Sequence, residues 1–422
     1  MDRIRITGGH RLNGKIEISG AKNAALKLMC ASLLTADRLT LKNIPVGLGD
    51  IKTLSAVLAY IGTDITCPDP KTMVLESREI KQAVAPYDLV SQMRASILTL
   101  GPLLARHHVA EVSLPGGCAI GTRPVDFHIE GLKAMGADIV VEGGYIKAKA
   151  EGGLKGGHYI FPKISHTGTE NLMMAATLAQ GQTILENCAR EPEVEDLAEC
   201  LIKMGAKISG AGTHTIIIDG VPTLYGATHN VIADRIEMGT WMIAVGMTGG
   251  ALELHHARLD ILSSLVPVLR SAGIKIEDQG DGVIIVSNDH PELLRGVDIM
   301  TEPYPGFPTD LQAQMMAMLS VCGGAGMVSE TIFENRFMHV PELCRMGADI
   351  RVHGGSAIVR GVKNLSGAEV MATDLRASVA LVLAGLVANG ETIINRIYHL
   401  DRGYENIVDK LKSCGADIER LH

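Results

Sequence analysis

Leu132-Lys-Ala-Met-Gly-Ala-Asp-Ile139 is one of six places where the chain reads Leu-x-x-x-Gly-x-x-Ile. The others are Leu58/Gly62/Ile65, Leu201/Gly205/Ile208, Leu269/Gly273/Ile276, Leu343/Gly347/Ile350 and Leu411/Gly415/Ile418, and consecutive glycines lie 74, 69, 68, 74 and 68 residues apart. So regular a period predicts six copies of one supersecondary unit. In each copy the glycine suits the left-handed position just past a helix, and the residues up to the isoleucine enter a strand.

Working outward, the strand leads into a hairpin, as in Asp138-Ile-Val-Val-Glu-Gly-Gly-Tyr-Ile-Lys-Ala-Lys149 and Asp349-Ile-Arg-Val-His-Gly-Gly-Ser-Ala-Ile-Val-Arg360. Several copies then carry Leu-x-Gly (Leu12/Gly14, Leu154/Gly156, Leu224/Gly226, Leu294/Gly296, Leu365/Gly367) before a helix that is apolar on nearly every side. Those helices are expected over 23–35, 94–105, 170–180, 237–248, 310–321 and 376–388. A helix without a polar face must be buried, so the fold class is α/β with helices at the centre of each domain and strands around them, in βαβαββ-type repeats. The second helix of a copy, such as 194–204 or 404–414, is charged on one side and belongs nearer the surface. The sixth copy stops after one strand of its hairpin, and Ile4–Ile18 holds the strand and Leu-x-Gly elements that it lacks. The domains are therefore expected at 22–232 and at 1–21 plus 233–422. The chain would cross twice, near 20–22 and 230–234, making a hinge with a ligand cleft beside it.

A chain of 422 residues is long enough for two cores. Hydrophobic residues make up 46% but aromatics only 3%, so the cores are built from Ala, Leu, Ile, Val and 19 methionines. A net charge of -8 without blocks of like charge argues against a nucleic-acid binder. The eight cysteines show no CxxC pair and no zinc spacing, the usage of a reducing cytosol. The N-terminus opens as a strand rather than a signal peptide, and the longest apolar stretches, such as Ala377 to Ala388, fall short of the ~20 residues that span a bilayer. The expectation is a soluble cytoplasmic protein that binds neither membrane nor nucleic acid. Nothing in the sequence signals an oligomeric state.

The position that opens each buried helix is Lys22-Asn23, Arg94, Ser165-His-Thr-Gly-Thr169, Asp234-Arg235, Thr309-Asp310 and Asp374-Leu-Arg376 in turn. If the copies superpose, six helix N-termini converge on the cleft, where free N–H groups and the cationic side chains gather anions. The aspartates equally suit plain helix caps. Arg123, Arg336 and Arg402 occupy connections between a strand and an outer helix, and their planar forks suit a small substrate bearing two or three negative charges. P-loop, GxGxxG, HExxH and Ser-His-Asp patterns are absent, so nucleotide hydrolysis, hydride transfer and metal hydrolysis have no support. One glycine-rich segment, Pro115-Gly-Gly-Cys-Ala-Ile-Gly-Thr-Arg-Pro124, carries a thiol, Cys118, beside Arg123. A neighbouring guanidinium favours thiolate over thiol, although an incidental cysteine in a surface loop fits the same segment.

Ser19-Gly-Ala-Lys-Asn-Ala-Ala25, Pro115 to Asp126, Phe307-Pro-Thr-Asp-Leu-Gln-Ala-Gln314, Phe333-Glu-Asn-Arg336, Asp374-Leu-Arg-Ala-Ser378 and Asp401-Arg-Gly-Tyr404 together resemble the enolpyruvyl transferase family from end to end. They are closer to its UDP-N-acetylglucosamine branch than to the shikimate branch, whose loop has no counterpart of Cys118. The resemblance implies two inside-out α/β barrel domains of three repeats each. It also implies transfer of enolpyruvyl from phosphoenolpyruvate to the 3'-hydroxyl of UDP-N-acetylglucosamine, the first committed step of peptidoglycan synthesis, with no metal and no cofactor. By matching position, Cys118 protonates C3 of phosphoenolpyruvate, can add to C2 and is alkylated by fosfomycin, while Asp310 accepts the hydroxyl proton. Phosphoenolpyruvate falls to Lys22, Asn23, Arg123, Arg336, Arg376 and Arg402. The sugar nucleotide falls to Arg94, Arg123, Pro124, Val125, Asp126, Phe127, Lys163, Ile164, Ser165, His166, Asp310 and Ile332. His166 departs from the family form, in which a valine commonly stands and glycine follows directly.

Overall fold

The computed structural model describes residues 2–90, 93–114 and 125–422, and only the backbone of Arg94. The six motif glycines Gly62, Gly136, Gly205, Gly273, Gly347 and Gly415 have φ of 127, 86, 103, 109, 97 and 98°. The left-handed region costs an L-residue ~1–2 kcal/mol, which glycine avoids. Each glycine closes a helix in the same way. The N–H of the following residue reaches back to the motif leucine, as in Ala137 N to Leu132 O at 3.1 Å, Ala206 N to Leu201 O at 2.9 Å and Ala348 N to Leu343 O at 3.1 Å. This double-bonded helix end explains the spacing of leucine and glycine, because the leucine carbonyl is one of the helix's unpaired acceptors.

Each repeat forms a four-stranded sheet, so there are six among the described residues. In one, His158–Ile160 runs parallel to Gln182–Glu186, which pairs antiparallel with Thr215–Asp219, the partner of Lys207–Ser209. The parallel step needs a crossover, supplied by helix His166–Ala176. The C-terminal copy takes its missing strand from the other end of the chain: Arg3–Thr7 lies between Glu391–Asn395 and Asp417–Leu421. Two edge strands are exchanged. Leu12–Glu17 precedes helix Lys22–Ala31 in the chain but runs beside Gly250–His255, and Ala227–Asn230 precedes helix Arg235–Thr248 but runs beside Arg38–Lys42.

The contacts divide the described chain into two units, 2–19 with 233–422 and 20–114 with 125–232. In the first, helices Arg235–Thr248, Gln312–Leu319 and Leu375–Val387 pack on one another, and almost all of their side chains are buried. In the second, Leu100–His107 packs on His166–Ala176, and Lys22–Ala31 packs on the turn Arg94–Thr99. At that crossing Gly101 leaves no room for a side chain: a Cβ would lie 2.5 Å from the Asn171 carbonyl oxygen. The helices expected at 94–105 and 310–321 open instead as 3-10 turns, Arg94–Thr99 and Thr309–Leu311. In the first, the Ser96 and Thr99 hydroxyls bond carbonyls three residues back, which tightens the turn. No helix among the described residues is long and apolar enough to cross a membrane.

Candidate active site

Three side chains singled out in the sequence meet in the unit made of 2–19 and 233–422. Arg336 Nη2 donates to Asp310 Oδ1 and Arg376 Nη2 to Asp310 Oδ2, each at 2.7 Å. The arginine side chains are only 5% and 7% exposed, whereas Asp310 keeps 26%, so the carboxylate is the part of the cluster that a ligand can reach. Burial alone would raise the Asp310 pKa. The Arg376 and Arg336 charges and their hydrogen bonds outweigh it and hold the carboxyl well below its ordinary 3.8. Burial likewise opposes the charge of Arg376, but Asp310 beside it raises its pKa instead.

The other two helix-opening aspartates act differently. Asp234 accepts from Ile236 N and Glu237 N, and Asp374 from Arg376 N and Ala377 N, so both are N-caps. Asp310, on the turn Thr309–Leu311, makes no such cap. Asp310 thus lies inside its turn rather than ahead of a helix, and two guanidiniums from distant segments reach it.

A second layer fixes the first. Glu330 accepts four hydrogen bonds, from Thr301 Oγ1 (2.9 Å), Ile332 N (2.9 Å), Phe333 N (3.1 Å) and Thr309 Oγ1 (2.9 Å). Thr309 Oγ1 in turn accepts from Arg336 Nη1 at 3.1 Å. One buried carboxylate therefore orients both Ile332 and Arg336. Arg376 Nη1 donates to the buried Tyr404 hydroxyl at 3.3 Å. Arg402 lies two residues earlier, half-buried at the end of the turn Ile397–Arg402.

In the unit containing 20–114 and 125–232, Lys22 opens its helix with Nζ 3.1 Å from Asp50 Oδ2, both side chains nearly buried. Asn23 is half-buried beside it. Lys163 is exposed, Ile164 and His166 are half-buried, and Ser165 caps the helix by accepting from Gly168 N at 3.1 Å. Val125, Asp126 and Phe127 stand at the start of Asp126–Ala134. On that helix His128 is buried, and its tautomer follows from its neighbours. Gly101 N donates to Asn171 Oδ1, so Asn171 Nδ2 is the donor to His128 Nδ1 at 2.9 Å. Nε2 therefore carries the hydrogen and faces Thr167 Oγ1 at 3.4 Å. Cys118, Arg123 and Pro124 lie outside the described residues, as does the side chain of Arg94. The sequence reading did not single out Asp50, His128 or Glu330. Thr309 and Tyr404 stand inside segments that it quoted, but nothing local marks them as partners of the arginines. No group of three or more His, Cys, Asp or Glu among the described residues could hold a metal ion.

The model of the family described as EPSP synthase (3-phosphoshikimate 1-carboxyvinyltransferase) matches residues 6–411. The chain is 60% identical over 422 residues to a UDP-N-acetylglucosamine 1-carboxyvinyltransferase of Granulibacter bethesdensis, covering 100% of both chains. It is 58% identical to one of Paramagnetospirillum magneticum, covering 100% of this chain and 99% of that one. Among solved structures it is similar to the enolpyruvyl transferase NikO of Streptomyces tendae (TM-score 0.89, 23% identity, 100% and 99% coverage). An EPSP synthase of Acinetobacter baumannii is similar at TM-score 0.77 and 18% identity, with 100% of each chain covered.

Proposed function

The chain belongs to the enolpyruvyl (1-carboxyvinyl) transferase family, and we propose that Asp310, clamped between Arg336 and Arg376, is where it engages the acceptor hydroxyl. The activity is transfer of enolpyruvyl from phosphoenolpyruvate to UDP-N-acetylglucosamine in peptidoglycan synthesis. The observation that carries the site is the pair of 2.7 Å contacts on a partly exposed carboxylate. Each oxygen keeps a lone pair for an incoming O–H. A carboxylate held so far below its ordinary pKa is a weak base. Asp310 therefore orients the 3'-hydroxyl first and takes its proton only as the new C–O bond acidifies it.

The hydroxyl oxygen adds to C2 of phosphoenolpyruvate while the Cys118 thiol gives a proton to C3, producing a tetrahedral phospho-ketal. Loss of a C3 proton then restores the double bond as the C2–O bond to phosphate breaks. Lys22, Asn23, Arg123 and Arg402 meet the phosphate and carboxylate directly, while the nearly buried Arg336 and Arg376 add fixed positive charge from behind Asp310, fixed cations being the main source of stabilisation. Arg94, Arg123 to Phe127, Lys163 to His166, Asp310 and Ile332 serve the sugar nucleotide. Fosfomycin alkylates Cys118, and the reaction runs in the cytoplasm, in keeping with cysteines that form no disulfide among the described residues.

The test is phosphate release from purified protein given phosphoenolpyruvate and UDP-N-acetylglucosamine. Release should need both reactants and fall by at least ~10²-fold in Asp310→Asn, which keeps the shape and loses the charge. Cys118→Ser should escape fosfomycin, and Cys118→Asp should keep activity while escaping it, because a carboxylic acid still donates a proton. Undiminished release by Asp310→Asn would remove Asp310 from the site.

A further inference from the structure

We propose that Tyr404 is a positioning residue for the transfer: its phenol oxygen sets the Arg376 guanidinium so that the other arm of the fork meets Asp310. This rests on the reading of Asp310 and Arg376 given above. Tyr404 is 3% exposed, and its oxygen lies among residues from all three central helices of its unit. Thr240 Oγ1 is 2.9 Å away, Gln314 Nε2 3.2 Å and Arg376 Nη1 3.3 Å.

The direction of each hydrogen bond can be assigned. Thr240 Oγ1 donates to Ile236 O at 2.8 Å, which uses its hydrogen, so the phenol is the donor to Thr240. Gln314 Nε2, which also donates to Asp310 O at 2.9 Å, and Arg376 Nη1 can only donate to the phenol oxygen. Tyr404 thus gives one hydrogen bond and accepts two, the full capacity of a neutral phenol. Its ring also lies against Arg376, with Cζ 5.8 Å from the ring centroid. The guanidinium is held at one end by the phenol and presented by the other to Asp310 Oδ2. Gln314 ties the same oxygen to the Asp310 backbone. Phenylalanine in place of Tyr404 keeps the ring and frees one end of the fork. Small displacements of a charge that orients a reacting group are costly in rate.

The experiment is a double-mutant cycle on the full chain, read as kcat and KM from phosphate release. Tyr404→Phe should lower kcat by about tenfold or more, with KM for UDP-N-acetylglucosamine within about twofold. In an Arg376→Lys background, which keeps the charge but has no fork, Tyr404→Phe should lower kcat no further. A Tyr404→Phe enzyme with wild-type kcat, or one whose loss multiplies undiminished with that of Arg376→Lys, overturns the proposal. A residue that only packs the core would lower the melting temperature and leave kcat alone. If Arg376→Lys itself keeps full kcat, the reading of the Asp310 site fails instead. Should Tyr404→Phe not fold, Thr240→Val, which removes the acceptor of the phenolic hydrogen, is read by the same criteria. Where the lysine background has no measurable rate, the kcat against KM split of the single variants decides.

Discussion

Lys27 Nζ lies 3.1 Å from Glu170 Oε1, with the two side chains 3% and 0% exposed. The pair joins helix Lys22–Ala31, which opens on Lys22, to helix His166–Ala176, which opens on His166. Neither Glu170 oxygen receives a well-directed hydrogen bond among the described residues, so the lysine is its main compensation. Breaking such a pair from one side leaves a buried charge alone. Above about pH 8, where Glu170 is ionised, Lys27→Ala should therefore cost ~3–5 kcal/mol, whereas Lys27→Met with Glu170→Met should cost far less. Urea unfolding midpoints measure both.

Burial raises the Glu170 pKa from 4.5 to about 8 against the opposing pull of Lys27. A raised folded-state value means that the protonated form is favoured on folding. This contribution to stability is complete below the ordinary carboxylate range and is lost as pH climbs towards about 8. Glu170→Gln should flatten the decline in unfolding free energy across that interval. An unchanged slope would show that Glu170 titrates normally.

Two histidines act in the opposite direction. Burial lowers His128 and His339 from 6.5 to about 4. A neutral buried imidazole contributes stability above the ordinary histidine range that is lost as pH falls from 6.5 to about 4, on the order of 3 kcal/mol for each. His128→Gln should remove its share of the acid slope, seen in thermal melts between about pH 4 and 7.

Asp310 remains ionised well into acid because two guanidiniums outweigh its burial. Arg336→Met removes one of them and should lift the Asp310 pKa towards the ordinary range. The acid limb of the pH profile for phosphate release should then move to higher pH in the variant. An acid limb that stays in place would separate Asp310 from the rate.

Gly131 on helix Asp126–Ala134 faces Leu172, whose Cδ1 would be 2.1 Å from an added Cβ. Gly131→Ala should therefore destabilise by ~1–3 kcal/mol. It should also raise KM for UDP-N-acetylglucosamine, since Asp126 and Phe127 begin the displaced helix. Leu172→Ala in the same chain should recover part of both, and a Gly131→Ala protein with wild-type melting temperature would contradict the packing.

How far the sequence reached depends on the range of the interaction. Leu132 and Gly136 are legible because a helix end is closed by atoms within six residues, and only glycine holds that end without strain. Helices such as Leu375–Val387 are legible because a surface without polar side chains has one stable location. The β-strand Arg3–Thr7 could be assigned to the last repeat because that copy lacked one.

The amino-acid sequence by itself determined the six-fold repetition, the helix ends and which helices are buried, since propensity, capping and periodicity act over a few residues. The tertiary structure decided which aspartate meets arginines. Asp234 and Asp374 stand just ahead of their helices and cap them, whereas Asp310 lies inside the turn Thr309–Leu311 and is held by Arg336 and Arg376, 26 and 66 residues away. It also decided the exchange of Leu12–Glu17 and Ala227–Asn230 between sheets, and the hydrogen bonds that converge on Glu330 and Tyr404. Such choices are made by groups that approach only after the chain has packed, where a buried charge or hydroxyl must find its partner among whatever the fold brings near.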